Sequence, residues 1–86
     1  MPRLRVRQIG EGLHPSEVVV AVTTVDGTQE EVLVDNQSLR GDALEIGYPI
    51  ATEGDRVLVE LPRETARGSW RLWVPASALL ETERVS

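Results

Sequence analysis

The sequence predicts an all-β fold, a small antiparallel barrel or rolled sheet of five to six strands with one short helical or 3₁₀ turn near residues 75–80. The first indication is composition, since 12 valines, 3 isoleucines and 6 threonines make up almost a quarter of the 86 residues. Such β-branched side chains favour strands. The second is a set of short runs in which apolar and polar residues alternate, separated by Gly, Pro and Asp. A chain of this length predicts a single domain, residues 1–86.

The first predicted strand covers residues 3–9, where Leu4 and Val6 define an apolar face. A charged outer face protects an edge strand against mispairing, and this is one interpretation of the arginines that alternate with the apolar residues. The other interpretation is a small phosphate-binding stripe. The arginines concerned are Arg3, Arg5 and Arg7.

Residues 18–34 predict a β-hairpin whose turn decides the register, because the first strand is apolar on both faces. A two-residue loop would set Val22 against Glu31. A three-residue loop over residues 25–27, with Gly27 as a left-handed bulge, gives a cleaner apolar face and is favoured. That register pairs Val18 with Val34, Val20 with Val32, and Val22 with Glu30.

The middle of the chain predicts a polar turn followed by a short strand. Residues 35–42 favour turns, and residues 43–46 predict a strand with Leu44 and Ile46 directed inward. Residues 47–50 cannot form a central strand because Pro49 has no N–H to donate, so an edge or an arched connection is expected. Beyond a further turn at residues 52–55 the last hairpin begins.

The last hairpin is predicted from two alternating runs joined by an exposed loop at residues 62–69. Only one register makes one face of the hairpin wholly apolar and places an opposite-charge pair on the other face. A slip of one residue would disrupt every one of these pairs. On the inner face, the expected pairs are Leu61 with Trp70, Val59 with Leu72, and Val57 with Val74. On the outer face, they are Glu60 with Arg71 and Leu58 with Trp73.

Pro75 is expected to end the last of these strands and to begin a short helical turn, since it lacks an N–H and its φ suits a first helical position. A Gly54-Asp55 pair, Trp70 and the run Val74-Pro75-Ala76-Ser77-Ala78-Leu79 together resemble the end of an SH3-like small β-barrel. The resemblance is confined to residues 54–80. It implies the fold alone, because the aromatic Ala-Leu-Tyr-Asp-Tyr stretch of that family, which serves its proline-rich ligands, has no counterpart here.

Composition and charge narrow the classes of function. The net charge is −5, and most of the excess lies in residues 8–53, which disfavours general binding to nucleic acid or anionic membranes. Because the chain has no cysteine, it can form neither disulfides nor cysteine metal sites. No stretch is long and apolar enough to span a membrane and no signal peptide is recognisable, so a cytoplasmic location is expected. No internal repeat is evident.

Few residues have the chemistry of a catalytic site. His14 is the only histidine, and no spacing of other ligands or nucleophiles accompanies it. Neither a phosphate-binding Gly-rich loop nor a dinucleotide fingerprint occurs. We therefore expect a protein that is not an enzyme and that needs no metal or cofactor.

The expected function is binding to a protein or peptide partner, or to a second copy of the chain as a homodimer, because Trp, Tyr and Arg are enriched at interface hot spots. The expected contact residues are Leu58, Arg71, Trp73 and Tyr48. One alternative is a nucleic-acid-binding barrel in which Trp73 stacks on a base and five arginines contact phosphates, namely Arg3, Arg5, Arg7, Arg56 and Arg71. A second alternative is an accessory subunit of an enzyme or a metal-binding protein that uses His14.

Overall fold

The computed structural model describes residues 2–81 and is all-β. The strands are β1 (Pro2–Arg5), β2 (Arg7–Glu11), β3 (Glu17–Thr23), β4 (Gln29–Asp35), β5 (Leu39–Arg40), β6 (Ala43–Glu45), β7 (Ala51–Glu53), β8 (Arg56–Glu60), β9 (Arg71–Pro75) and β10 (Leu79–Glu81). Two 3₁₀ turns, Asn36–Ser38 and Ala76–Ala78, follow β4 and β9. The predicted all-β class and the short turn near residues 75–80 are confirmed, although the strands are shorter and more numerous than predicted.

The strands form three antiparallel sheets, in the orders β10-β1-β6-β5, β2-β3-β4 and β7-β8-β9. Over residues 2–81 these sheets do not close into a barrel. Nor does this part of the chain contain a helix long and apolar enough to cross a membrane.

The single strand expected over residues 3–9 is divided into β1 and β2, which belong to different sheets. The break falls at Val6, which is buried and donates its backbone N–H to the carbonyl oxygen of Asp42 at 2.8 Å. A bulge follows, because the pairing of β2 with β3 shifts between Gln8 and Gly10. The bend lets one extended segment contribute Leu4 and Val6 to the core while it changes sheets.

The hairpin of β3 and β4 has the predicted register, with Val18 opposite Val34, Val20 opposite Val32, and Val22 opposite Glu30. Its loop is also as predicted, with Gly27 at φ 87°. Inside the loop the Thr24 hydroxyl and the Thr28 N–H donate to the Asp26 carboxylate. These bonds hold the pKa of Asp26 at about 2, below its ordinary value of 3.8, and so favour the ionised carboxylate that orders the turn.

The hairpin of β8 and β9 confirms four of the five predicted pairs, which are Val57–Val74, Leu58–Trp73, Val59–Leu72 and Glu60–Arg71. The fifth is wrong, together with the prediction that Trp70 belongs to the core. β9 begins at Arg71, and the Trp70 side chain is 50% exposed. Although the Leu61 N–H still donates to the Trp70 carbonyl at 2.8 Å, Pro62 has no N–H with which to continue the ladder.

The middle of the chain is as expected in outline. Leu44 and Ile46 are buried, and residues 46–50 form an irregular connection to β7. Gly54 adopts φ 56° in the two-residue turn between β7 and β8. The polar segment after β4 is more ordered than predicted, since the Asp35 carboxylate accepts a hydrogen bond from the Gln37 N–H and caps the first 3₁₀ turn.

The chain contains an internal structural repeat, and the expectation of none is wrong. A first repeat, residues 2–40, and a second repeat, residues 43–81, each run through two short segments, a hairpin, a 3₁₀ turn and a final strand. Most corresponding core positions differ by forty in residue number, as do the two 3₁₀ turns, whereas those of β3 and β8 differ by thirty-nine. The pairs include Leu4 and Leu44, Val6 and Ile46, Val34 and Val74, and Leu39 and Leu79.

The two long hairpin loops repeat the same hydrogen bonds. The N–H of Gly27 donates to the Thr24 carbonyl at 3.0 Å, and the N–H of Gly68 donates to the Thr65 carbonyl at 2.8 Å. The two glycines have nearly identical φ values, 87° and 86°. The shared pattern is Thr, two variable residues, Gly, and Thr or Ser.

The repeats exchange their final strands. β5 of the first repeat pairs with β6 of the second, and β10 of the second pairs with β1 of the first. Leu39 thus lies opposite Leu44, and Leu79 lies opposite Leu4. Between them β1 and β6 are antiparallel with Leu4 opposite Leu44, which is the pairing expected about an approximate two-fold axis.

The hydrophobic core is a single cluster to which both repeats contribute equivalent side chains. From the first repeat these are Leu4, Val6, Val20, Val22, Val32 and Val34, and from the second they are Leu44, Ile46, Val57, Val59, Leu61, Leu72 and Val74. Leu39 and Leu79 pack against the cluster from the two exchanged strands.

Candidate functional site

Leu58 and Trp73, two of the predicted contact residues, are cross-strand neighbours on the outer face of the β7-β8-β9 sheet. Both are half-buried. The Arg56 guanidinium lies 5.8 Å from the centroid of the Trp73 ring, within the range of a cation–π contact. The Val25 N–H donates to the Trp73 carbonyl at 3.0 Å, so the loop of the first hairpin lies beside β9. Trp73 is therefore directed outward as predicted, but part of its surface is already occupied.

Arg71 and Tyr48, the other two predicted contact residues, are exposed. The Arg71 Nε lies 3.5 Å from the Glu60 Oε2 across the strand pair. Such a solvent-exposed ion pair contributes little to stability. Tyr48 lies in the irregular connection after β6 and is 75% exposed, which is unusual for a large aromatic side chain without a partner.

Tyr48 and Trp70 line the same surface cleft, which we call the aromatic cleft. Its volume is about 300 Å³, and its lining residues are Glu45, Ile46, Gly47, Tyr48, Glu60, Leu61, Pro62 and Trp70. Ile46 and Leu61 are buried and form an apolar floor. The aromatic cleft thus combines two exposed rings with two carboxylates.

The position of Trp70 follows from the loop that precedes it. The Thr65 N–H donates to the Ser69 carbonyl at 2.9 Å, and the Thr65 hydroxyl accepts from the Ser69 N–H at 3.2 Å. This closed turn delivers Trp70 to the surface, where its indole N–H donates to the Glu64 Oε2 at 2.7 Å. The ring is therefore held in place before any partner arrives.

Sequence reasoning missed Trp70 as a site residue because it followed the alternation of β9 one residue too far. Two signals could have corrected it. Pro62 directly follows Leu61, the residue expected opposite Trp70, and has no N–H with which to continue the ladder. Thr65 and Gly68 repeat the Thr24 and Gly27 pattern of the first hairpin loop and mark a separate turn.

The electrostatic character of the aromatic cleft is acidic. Glu45 and Glu60 line it, and Glu64 binds the Trp70 indole at its edge. Arg71 offsets part of the charge of Glu60, although both side chains are more than half exposed. The cleft can therefore accept cationic groups beside its two rings.

Two of the three arginines predicted to form a phosphate-binding stripe, Arg5 and Arg7, line one cleft. We call this the basic cleft, and its volume is about 520 Å³. Arg3 does not line it and lies opposite Glu45 in the β1–β6 pair. The other two arginines of the nucleic-acid hypothesis, Arg56 and Arg71, lie on the outer face of the second repeat, where one is over Trp73 and the other is paired with Glu60.

His14 is exposed in the loop between β2 and β3. Among the described side chains of residues 2–80, no three from His, Cys, Asp or Glu come together in a way that could hold a metal ion.

No protein-family model, curated protein or solved structure matches this chain.

Proposed function

We propose that this protein is a non-catalytic interaction module that binds a basic, extended segment of a partner protein in the aromatic cleft. The observation that carries the proposal is the pair of exposed rings, Tyr48 and Trp70, on one cleft that also presents two carboxylates.

The rings supply the expected binding energy. Tyr and Trp are the residue types most often found at interface hot spots, since each buries a large rigid area at low cost in side-chain entropy. The bond from Trp70 to Glu64 lowers that cost further by fixing the indole.

The carboxylates supply the expected specificity. Arg or Lys side chains of a partner can bind Glu45 and Glu60 while their aliphatic stems lie against the rings. A net charge of −5 also attracts a basic segment at long range. Leu58 and Trp73 would extend the contact along the outer face of the same sheet, beyond the Arg71–Glu60 pair.

The proposal can be tested with two short synthetic peptides, one of alternating arginine and proline and one of alternating glutamate and proline. The host protein carries Trp73→Phe, so that Trp70 becomes the only tryptophan and its fluorescence reports on the cleft. We expect saturable quenching or a spectral shift with the basic peptide and none with the acidic one. Tyr48→Ala should weaken that binding about tenfold or more.

Leu13→Ala is the matched control, because Leu13 is 92% exposed and lies outside the aromatic cleft. Equal binding of both peptides, or unchanged binding in Tyr48→Ala, would overturn the proposal.

The other predicted partner is a second copy of the chain. Light scattering tests it by comparing the mass in solution of the wild type with that of Trp73→Ser. A wild-type dimer that this substitution dissociates would assign the surface to a second copy of the chain instead.

A further inference from the structure

We infer that the basic cleft is a second binding site, specific for an oxyanion group, phosphate or carboxylate, carried on a small apolar body. It is separate from the aromatic cleft, and its failure would leave the proposed function untouched.

The basic cleft has the construction of a small-molecule site, with an apolar floor and polar groups at the rim. The floor is made of Val6 and Ala21, which are buried, with Pro75 and Ala78 from the end of the second repeat. The rim carries Arg5, Arg7, Gln8, Thr23, Gln29, Gly41 and Asp42.

Two rim contacts hold the polar groups in place. The Arg7 Nη2 donates to the Gln29 Oε1 at 2.9 Å, and the Gln8 Nε2 donates to the Gly41 carbonyl at 3.1 Å. The partner of Arg7 is a neutral amide, so its guanidinium keeps its full charge toward a ligand. Guanidinium groups bind carboxylate and phosphate through paired hydrogen bonds.

The arginines of this cleft differ from three others in the described part of the chain. Arg63, Arg67 and Arg71 each lie within ion-pair distance of a glutamate. Among the side chains that the structure describes, those of residues 2–80, no carboxylate lies at that distance from Arg5 or Arg7. Asp42 also lines the cleft, and its carboxylate repels anions. The two guanidinium groups outweigh this single carboxylate, so the cleft as a whole keeps a net positive charge.

The internal repeat gives an independent reason to regard the basic cleft as a site. The two clefts occupy corresponding places, because four consecutive lining residues of the basic cleft, Arg5 to Gln8, correspond to four of the aromatic cleft, Glu45 to Tyr48. At the rim, Arg5 corresponds to Glu45. The same cleft thus occurs twice with opposite charge, so the two copies suit ligands of opposite charge.

The test is a nuclear magnetic resonance titration of the full chain at constant ionic strength. The probes are phenyl phosphate, benzoate, inorganic phosphate and phenol. We expect saturable shifts of the backbone amides of Gly41, Thr23 and Ala78 with phenyl phosphate or benzoate, and none with phenol. Stronger binding of phenyl phosphate than of benzoate would identify phosphate as the preferred group.

The double variant Arg5→Gln with Arg7→Gln should weaken this binding about tenfold or more, because each charged hydrogen bond is replaced by a neutral one. Arg40→Gln is the matched control, since Arg40 is an exposed arginine that does not line the cleft. Shifts that persist in the double variant, that phenol reproduces, or that do not saturate would overturn the inference. Binding of inorganic phosphate alone would contradict the role given to the apolar floor.

Discussion

At the scale of single residues, the two tryptophans show how a local turn overrides strand alternation. Trp70 lies on the same side of the alternation as Leu72 and Val74, yet it is half exposed because the ladder ends at the pair of Glu60 and Arg71. Trp73 alternates with buried residues and so points outward, but its ring is partly covered by Arg56. The alternation of residues along a strand predicts which face of the sheet a side chain occupies only where the strand is paired.

Trp70→Ala is expected to cost about 0.5–1 kcal/mol of unfolding free energy, as for a partly exposed side chain outside the core. Leu72→Ala, two residues further on and buried, should cost about 2–5 kcal/mol because it leaves a cavity. Urea denaturation followed by circular dichroism measures both. A loss at Trp70 as large as that at Leu72 would show that the indole is a core residue.

The candidate site could be predicted from the sequence only in part. Tyr48 is among the predicted contact residues, and its exposure agrees with its place next to Pro49, which cannot belong to a central strand. Trp70 was assigned to the core, so its convergence with Tyr48 was not predictable. That convergence depends on the path of the connection between β6 and β7, which carries no periodic pattern.

At the scale of elements, the hairpins were the most predictable part of the fold. The register of β8 with β9 follows from the requirement that one face be apolar, which a slip of one residue would break. The register of β3 with β4 follows from the three-residue loop. The division of residues 3–9 into β1 and β2 was not predictable, because Leu4 and Val6 keep the same alternation on both sides of the bend. The bend arises from tertiary pairing, since β1 pairs with β6 and β10, whereas β2 pairs with β3.

Gly27→Ala and Gly68→Ala are each expected to cost about 1–2 kcal/mol, since both glycines have positive φ, which an L side chain adopts only with strain. No atom lies within 4 Å of an added Cβ at either position, so the cost is one of backbone conformation alone. Thermal denaturation of the two variants should give similar losses.

Gly47→Ala is the control for these variants, because that glycine also has open space around it and lacks a positive φ. It should change stability by less than about 1 kcal/mol. An equal loss in all three variants would refute the role of φ in the hairpin loops.

At the scale of the whole molecule, the internal repeat is preserved in the core and lost on the surface. Core equivalents remain aliphatic, as in Val6 and Ile46, because only volume and apolarity are required there. Surface equivalents such as Arg5 and Glu45 differ in charge. The repeat is therefore difficult to recognise in the sequence, because the two halves differ at most surface positions and are alike only at core positions.

Leu4→Ala and Leu44→Ala are expected to destabilise the protein to a similar extent, about 2–5 kcal/mol each, because the two side chains are fully buried at corresponding positions. Both variants should unfold in a single transition, since each leucine belongs to the shared core. Denaturation monitored by circular dichroism and by tryptophan fluorescence should give coincident curves. Separate transitions in either variant would mean that the repeats are independent folding units.

The exchange of final strands also has a kinetic consequence. β1 is made first during synthesis, yet both of its partners lie far along the chain, with Leu4 opposite Leu44 and Leu79. Pairings so distant in sequence slow folding, because a long loop must close before they contribute. The four-stranded sheet therefore completes only after residue 81 has left the ribosome, and until then at least one edge of β1 is unpaired.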